Sequence, residues 1–344
     1  MVQAASKACT PMLTPSANPR RAHLFWTGLY FLLGLAWIRF DQFAYWHDPF
    51  TYQPVLAGTG CAPEQYRTAM PHLAQWLAEH LHLHSLVAGL LVVDFINVLA
   101  LAVLLYALLL RQLRFAPAQI GTTAKALLGL LLVFYLHQTY AFARVETLPN
   151  CVFVALALLL IGNMEGGASR VAVLSGLGLC VLGFAEGWVR ADVAVVLGVA
   201  LVLGALFATD IGGRVRGTLM GVGLLVAGVS GATLLYLMRV AYPAAHYCGA
   251  VFTLGFNFGL SYNYLGLLTV IPPVVVALVV LLRRFGGLAV ADRTILIAAV
   301  LYLGVWSVLG NWSEPRIYIP FAMGLLPVAC AALAQWTLRN EPGP

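Results

Sequence analysis

The sequence predicts an all-α, polytopic membrane protein of about ten transmembrane helices, and three observations lead there. Hydrophobic residues make up 61% of the 344-residue chain and charged residues only 9%, against about 45–50% and about 25% in soluble globular domains. The apolar residues fall into runs of spanning length, about 20 residues each. The charged residues collect between those runs. This composition excludes a soluble α/β enzyme, a disordered regulator and a secreted disulfide scaffold. The net charge of +6 comes from 19 basic and 13 acidic residues scattered among loops. With no basic stripe, nucleic acid is not an expected partner.

The runs are taken in order. The first 23 residues are polar, with Pro11, Pro15 and Pro19, and the apolar run at 24–43 is long enough to act as an uncleaved anchor. A long loop, 44–84, follows. Within it, Leu73, Leu77 and Leu81 recur at intervals of four beside Trp76, while Gln75, Glu79 and His82 are polar. That pattern predicts a helix lying on the membrane from Pro63 to His84. Charged or Pro/Gly-rich breaks bound the next spans at 85–110, 125–143, 149–163, 171–186, 191–208 and 217–239. A second long loop, 240–264, precedes the last three, at 265–282, 294–311 and 317–338. The whole of 1–344 is read as one transmembrane domain.

Ten spans place both termini on one side. That side holds 13 of the 19 Lys and Arg residues and the other holds 6, so the positive-inside rule makes the first side cytoplasmic. Both long loops then face outward.

The outer side carries an unusual pattern: an acid and an arginine adjoin at four places. These are Glu64 with Arg67, Arg144 with Glu146, Glu186 with Arg190 and Asp192, and Glu314 with Arg316. Ionisable groups at the membrane are costly and tend to mark function. Converging on one face, these four would form a charged, partly desolvated cavity. Held apart, they are solvated helix ends. The first span ends in Arg39-Phe-Asp41-Gln-Phe-Ala-Tyr-Trp-His-Asp48-Pro49, which puts two carboxylates in an aromatic setting. Either Asp41 or Asp48 could serve as a general base or ligate a divalent metal, or the segment is an interfacial aromatic belt. His72, His80, His82 and His84 match no firm zinc spacing.

Of six cysteines, Cys61 and Cys248 fall in the two long outer loops. They are the one sensible disulfide if that side is oxidising. Two free thiols are the alternative.

The layout resembles that of the C-type (GT-C) integral membrane glycosyltransferases. Asp41 and Asp48 open the first outer loop, and that loop contains the amphipathic stretch from Ala62 onward. Ala143-Arg-Val-Glu-Thr-Leu-Pro-Asn150 enters a brief apolar helix, and Glu186-Gly-Trp-Val-Arg-Ala-Asp192 precedes another span. Asn311-Trp-Ser-Glu-Pro-Arg-Ile-Tyr-Ile-Pro320 looks like the Glu-x-Arg segment that opens a late span in such enzymes. The chain lacks their C-terminal periplasmic domain and a clear Asp-x-Asp or Asp-x-Glu pair. The resemblance implies transfer of a sugar from a polyprenyl-phosphate-linked donor to an acceptor at the outer face of a bacterial inner membrane. It also implies that Asp41 or Asp48 is the catalytic carboxylate, acting as general base, that Arg67, Arg144, Arg190 and Arg316 grip donor phosphate, and that Glu64, Glu146, Glu186, Asp192 and Glu314 support them. Membrane lipid is the other expected partner.

A lipid or solute transporter is the rival reading. It should carry mid-membrane polar groups on several spans, and only Asp94, His137 and the Pro272-Pro273 break suggest this. A non-catalytic membrane scaffold is the third.

Overall fold

The computed structural model describes residues 23–30, 32–33, 52–114, 116–140, 144–166, 169–247, 252–259, 261–310, 312, 314 and 317–339. Among them every named element is helical, and the sole extended pairing is an isolated bridge between Ala62 and Tyr247. The helices are α1 (23–30), α2 (Tyr52–Leu56), α3 (Ala69–His80), α4 (Leu86–Gln112), α5 (Ala118–Tyr140), α6 (Thr147–Gly166), α7 (Ser169–Leu206), α8 (Gly213–Tyr236), α9 (Leu254–Gly259), α10 (Ser261–Arg283), α11 (Val290–Leu309) and α12 (Ile319–Arg339).

Seven helices among the described residues are long and apolar enough to cross a membrane: α4, α5, α6, α7, α8, α11 and α12. Their outward faces agree with that environment. On α7, Leu174, Leu177, Val181 and Phe184 form a stripe at helical spacing and are all more than half exposed. Water would penalise such a stripe, whereas hydrocarbon accepts it. This is an integral membrane protein.

Seven is fewer than the ten expected, and the differences can be traced. Most of the expected first span, 24–43, lies outside the described residues. Within α10 only Pro273–Arg283 qualifies, as a shorter apolar helix. The expected spans 171–186 and 191–208 are joined in the single helical element α7. That element is not straight. Arg190 has φ −163° and ψ 86°, which is extended backbone inside a helix.

The neighbours of α7 show what this break does. Before it, Gly176 packs on Val222, Gly183 on Val226, and Gly187 on Ser230 and Thr233 of α8. Numbers rise together, so residues 169–189 run parallel to α8. After it, Val195 meets Gly231, Gly198 meets Gly223 and Ala227, and Val202 meets Gly223. Numbers now run oppositely, so 191–206 is antiparallel to α8. The chain therefore reverses at Arg190, and α8 packs against both arms. At 1.5 Å per residue the arms are about 31 Å and about 24 Å long, close to the ~30 Å hydrocarbon thickness. The close approach of the second arm to α8 requires glycine. A Cβ at Gly198 would sit 2.6 Å from the Gly223 carbonyl oxygen, the kind of small-residue contact by which membrane helices associate.

The same bookkeeping of neighbours orders the rest. α6 is antiparallel to the first arm of α7, with Met164 on Gly176 and Leu160 on Gly178. α11 is antiparallel to the second arm, with Thr294 on Gly204 and both Tyr302 and Trp306 on Asp192. α6 and α12 are the most enclosed, with 72% and 78% of their most apolar stretch buried, so they form the centre of the bundle. The bundle has two ends. One gathers Arg67, Glu146, Arg190 and Asp192; the other gathers Gln112, Glu165, Asp210, Asp292 and Arg293.

The helix expected over 63–84 is present but shorter. A 3-10 turn covers Glu64–Tyr66, and α3 follows from Ala69 to His80. Its buried face consists of Pro71, Ala74 and Ala78, and Gly89 of α4 lies directly against the Ala74 carbonyl. The larger Leu73 and Trp76 face away from the protein. Small residues thus seat the helix; of the leucine pattern, Leu73 and Leu81 are exposed while Leu77 packs against the protein.

Candidate functional site

The cluster at the first end is built from three chain segments. Residues 64–67 come from the turn before α3, residues 144–150 from the entry to α6, and residues 186–192 from the reversal in α7. The sequence places acids and arginines locally; the fold keeps one local pair, Arg190 with Asp192, and makes another across the chain, Arg67 with Glu146. Arg67 Nη1 donates to Glu146 Oε1 at 3.0 Å, with little exposure on either side chain. Glu64 lines a cavity of about 10 Å³ with Arg67, Arg144 and Glu146, room for roughly one water. Tyr52 closes it. Its hydroxyl oxygen accepts the Val145 N–H at 2.9 Å, and burial first, then Glu146, pushes the phenol far above its usual titration range. Tyr52 is therefore a fixed neutral group.

Arg190 and Asp192 form the second part. Positions i and i+2 do not face each other on a regular helix. The break at Arg190 removes that restriction, and Arg190 Nε donates to both Asp192 oxygens at 3.2 and 3.3 Å. Asp192 Oδ2 also accepts from Tyr302 Oη at 2.9 Å and Trp306 Nε1 at 3.2 Å. The Arg190 guanidinium lies over the Trp306 ring, 5.2 Å from its centroid, and 5.9 Å from that of Tyr302, favourable for a cation. Asp192 sits in the first turn of the second arm, where the helix dipole favours an acid. Its lone pairs are well used, so it anchors Arg190.

The two parts interact. Arg67 lies within electrostatic range of Asp192, and Glu146 within range of Arg190. Glu186 lies within electrostatic range of both Asp192 and Arg190, and Glu186 and Arg190 lie within range of Cys151 on α6. Three of the four sequence-predicted groups thus meet. Formally the cluster holds three arginines and four acids, so it is not a cationic patch.

Several buried polar atoms here have no hydrogen-bond partner among the described residues. They are Glu186 Oε1, Arg190 Nη2, and both Asn150 Nδ2 and Oδ1. Glu186 and Arg190 are each 4% exposed and Asn150 is fully buried. Such groups are usually satisfied, and leaving them open costs about 1–3 kcal/mol each. The arrangement suits a small polar occupant that offers both donors and acceptors.

Asp41, Asp48 and Arg316 lie outside the described residues, as does Cys248. Glu314 is partly buried, and its carbonyl accepts the Ile317 N–H. Cys61 is disulfide-bonded, and the Ala62 N–H donates to the His246 carbonyl, which brings its loop against the second long loop. The free-thiol alternative is thus excluded for Cys61. No group of three metal-ligating side chains occurs among the described residues. His80 stacks on Trp76, with ring centroids 4.4 Å apart.

Sequence reasoning missed Tyr52, Asn150, Tyr302 and Trp306. The last two did leave a signal: they are four residues apart and so share one face of α11. The protein is thus a membrane-embedded helical bundle with a buried, partly unsatisfied ionic cluster at one end. No known protein family matches the chain, and no characterised protein or solved structure shows significant similarity to it.

Proposed function

We propose that the protein is a glycosyltransferase of the C-type membrane class, moving a sugar from a polyprenyl-phosphate-linked donor to an acceptor hydroxyl at the outer face of the membrane. The observation that carries this reading is the convergence of 64–67, 144–150 and 186–192, far apart in sequence, on one buried ionic cluster at one end of the helical bundle. With the chain reversal at Arg190, α10, and a first span at 24–43, ten crossings and cytoplasmic termini accommodate the charge bias of the loops. In this reading α3 lies along the membrane with Leu73 and Trp76 toward lipid.

The chemistry needs few parts. The acceptor oxygen attacks the anomeric carbon while its proton passes to a carboxylate, for which Asp41 and Asp48 are the candidates. The bond from that carbon to the phosphate oxygen breaks, and the phosphate leaves with the electron pair. Arginine stabilises the developing charge. Arg190 is suited to this because Nη2 has no acceptor among the described residues, while Asp192 and the two aromatic rings hold its plane. Arg67 and Arg144 act beside it, and Arg316 is assigned with them by its place in the sequence.

The test uses the full chain in lipid nanodiscs with a polyprenyl-phosphate monosaccharide labelled in the sugar. Label should move to water or to an extracted envelope acceptor, releasing polyprenyl phosphate. Asp41→Asn or Asp48→Asn should lower that rate by about 100- to 10,000-fold. An intact donor under all these conditions overturns the reading. Cysteine labelling at position 58 from the cytoplasmic side would overturn the orientation.

A further inference from the structure

A second cavity, of about 310 Å³, opens at the opposite end of the bundle. It lies between the last turns of α4, the middle of α12 and the first turn of α11. Its size falls in the range of small-ligand sites. Arg111, Arg114 and Asp292 stand at the polar side, and Leu108, Leu158 and Ile295 form the apolar side. The polar side is constructed. Arg111 Nη1 donates to the Leu159 carbonyl at 3.2 Å, and the guanidinium rests on Gly162, where any Cβ would collide with it. Asp292 Oδ1 accepts from Gln112 Nε2 at 2.9 Å, which leaves its second oxygen able to accept another donor. Glu165 Oε2 accepts the Val290 N–H at 3.0 Å, fixing the start of α11 against α6.

We infer that this cavity binds the headgroup of a glycerophospholipid, with phosphate on Arg111 and Arg114, a headgroup N–H or O–H on Asp292, and the upper acyl chain on the apolar side. The inference is independent of the proposed glycosyl transfer and belongs to the other end of the molecule. Three observations support it. Guanidinium groups match phosphate oxygens with paired N–H donors. The cavity sits where α4 ends and α11 begins, the level at which an apolar bundle meets lipid headgroups. Arg170, Arg214, Arg283 and Arg284 flank helix ends on this side, and such basic clusters attract anionic lipid. A free phosphate would use the arginines but would gain nothing from the apolar side.

The experiment is native mass spectrometry of the full chain after delipidation, titrated with phosphatidylglycerol, phosphatidylethanolamine or phosphatidylcholine, alongside thermal unfolding in inorganic phosphate. Phosphatidylglycerol and phosphatidylethanolamine should be retained over phosphatidylcholine, whose headgroup has no N–H or O–H. Arg114→Gln should weaken retention by about tenfold, the scale of one lost charge-assisted hydrogen bond. Asp292→Asn should keep the Gln112 contact and reduce the preference over phosphatidylcholine. Ala291→Phe, placed to fill the cavity, should abolish retention without lowering the unfolding temperature, which separates loss of the site from loss of the fold. Equal retention of the three lipids, unchanged retention in Ala291→Phe, or stabilisation by inorganic phosphate equal to that by lipid would each overturn the inference.

Discussion

The two ends of the bundle bury charge in different ways. At the end that holds Asp210 and Asp292, the buried Arg293 donates to the Phe285 and Gly286 carbonyls and to Asp210. Glu165 caps the first amide of α11, and Gln112 holds Asp292. Among the described residues, the fully buried side-chain atoms without a partner there are Arg216 Nε and Thr294 Oγ1. At the other end, a carboxylate oxygen, a guanidinium nitrogen and a whole side-chain amide are buried open within one region. A saturated network rigidifies and locks helix ends together. An open one carries an energetic penalty that a bound group can relieve. The first end is thus closely tied by its own hydrogen bonds, and the second holds the larger set of buried polar atoms without partners among the described residues.

The largest expected effect tests the saturated end. Arg293→Ala strands the Phe285 and Gly286 carbonyls at about 1–3 kcal/mol each and should lower the unfolding temperature strongly in detergent. Turnover per folded molecule should stay near wild type. A mild effect on stability would break the comparison.

Next comes the disulfide. Cys61→Ser should cost about 2–4 kcal/mol. If Cys248 is the partner, Cys248→Ser should cost the same and the double variant no more. Additive losses would reject that pairing.

The Arg67–Glu146 contact is smaller. A double-mutant cycle with Arg67→Gln and Glu146→Gln, read by thermal unfolding, should give a coupling of about 1–3 kcal/mol because both partners are largely buried. A value near zero would make it an ordinary surface pair.

Glu186→Gln should have the least effect on stability. It keeps shape and removes charge from a group with one open oxygen. Unfolding temperature should shift little while donor turnover drops at least about tenfold, the loss of one useful charged contact. Equal, proportionate losses in both would mean the group is only structural.

Much of this was legible in residues 24–338. Period, composition and loop charge located the seven long apolar helices among the described residues, because a bilayer demands about 20 apolar residues per crossing whatever the packing, though α7 was expected as two spans and α5 begins seven residues before its expected start. The acid–arginine segments were legible too, since charge near a membrane is too costly to be incidental. Their pairing was legible only in part: Arg190 does bond Asp192, its neighbour in sequence. Glu64 and Arg67 are neighbours in sequence, yet Arg67 bonds Glu146 across 79 positions, because the seating of α3 on α4 through Gly89 sets where that side chain can reach. The break at Arg190 has no proline or glycine at its own position to announce it. It is set by α8 lying against both arms and by Asp192 finding Tyr302, Trp306 and Arg190 together. Local composition determines which segments enter the membrane and which charges stand at its edges. Only the packing of distant helices determines which of those charges are satisfied.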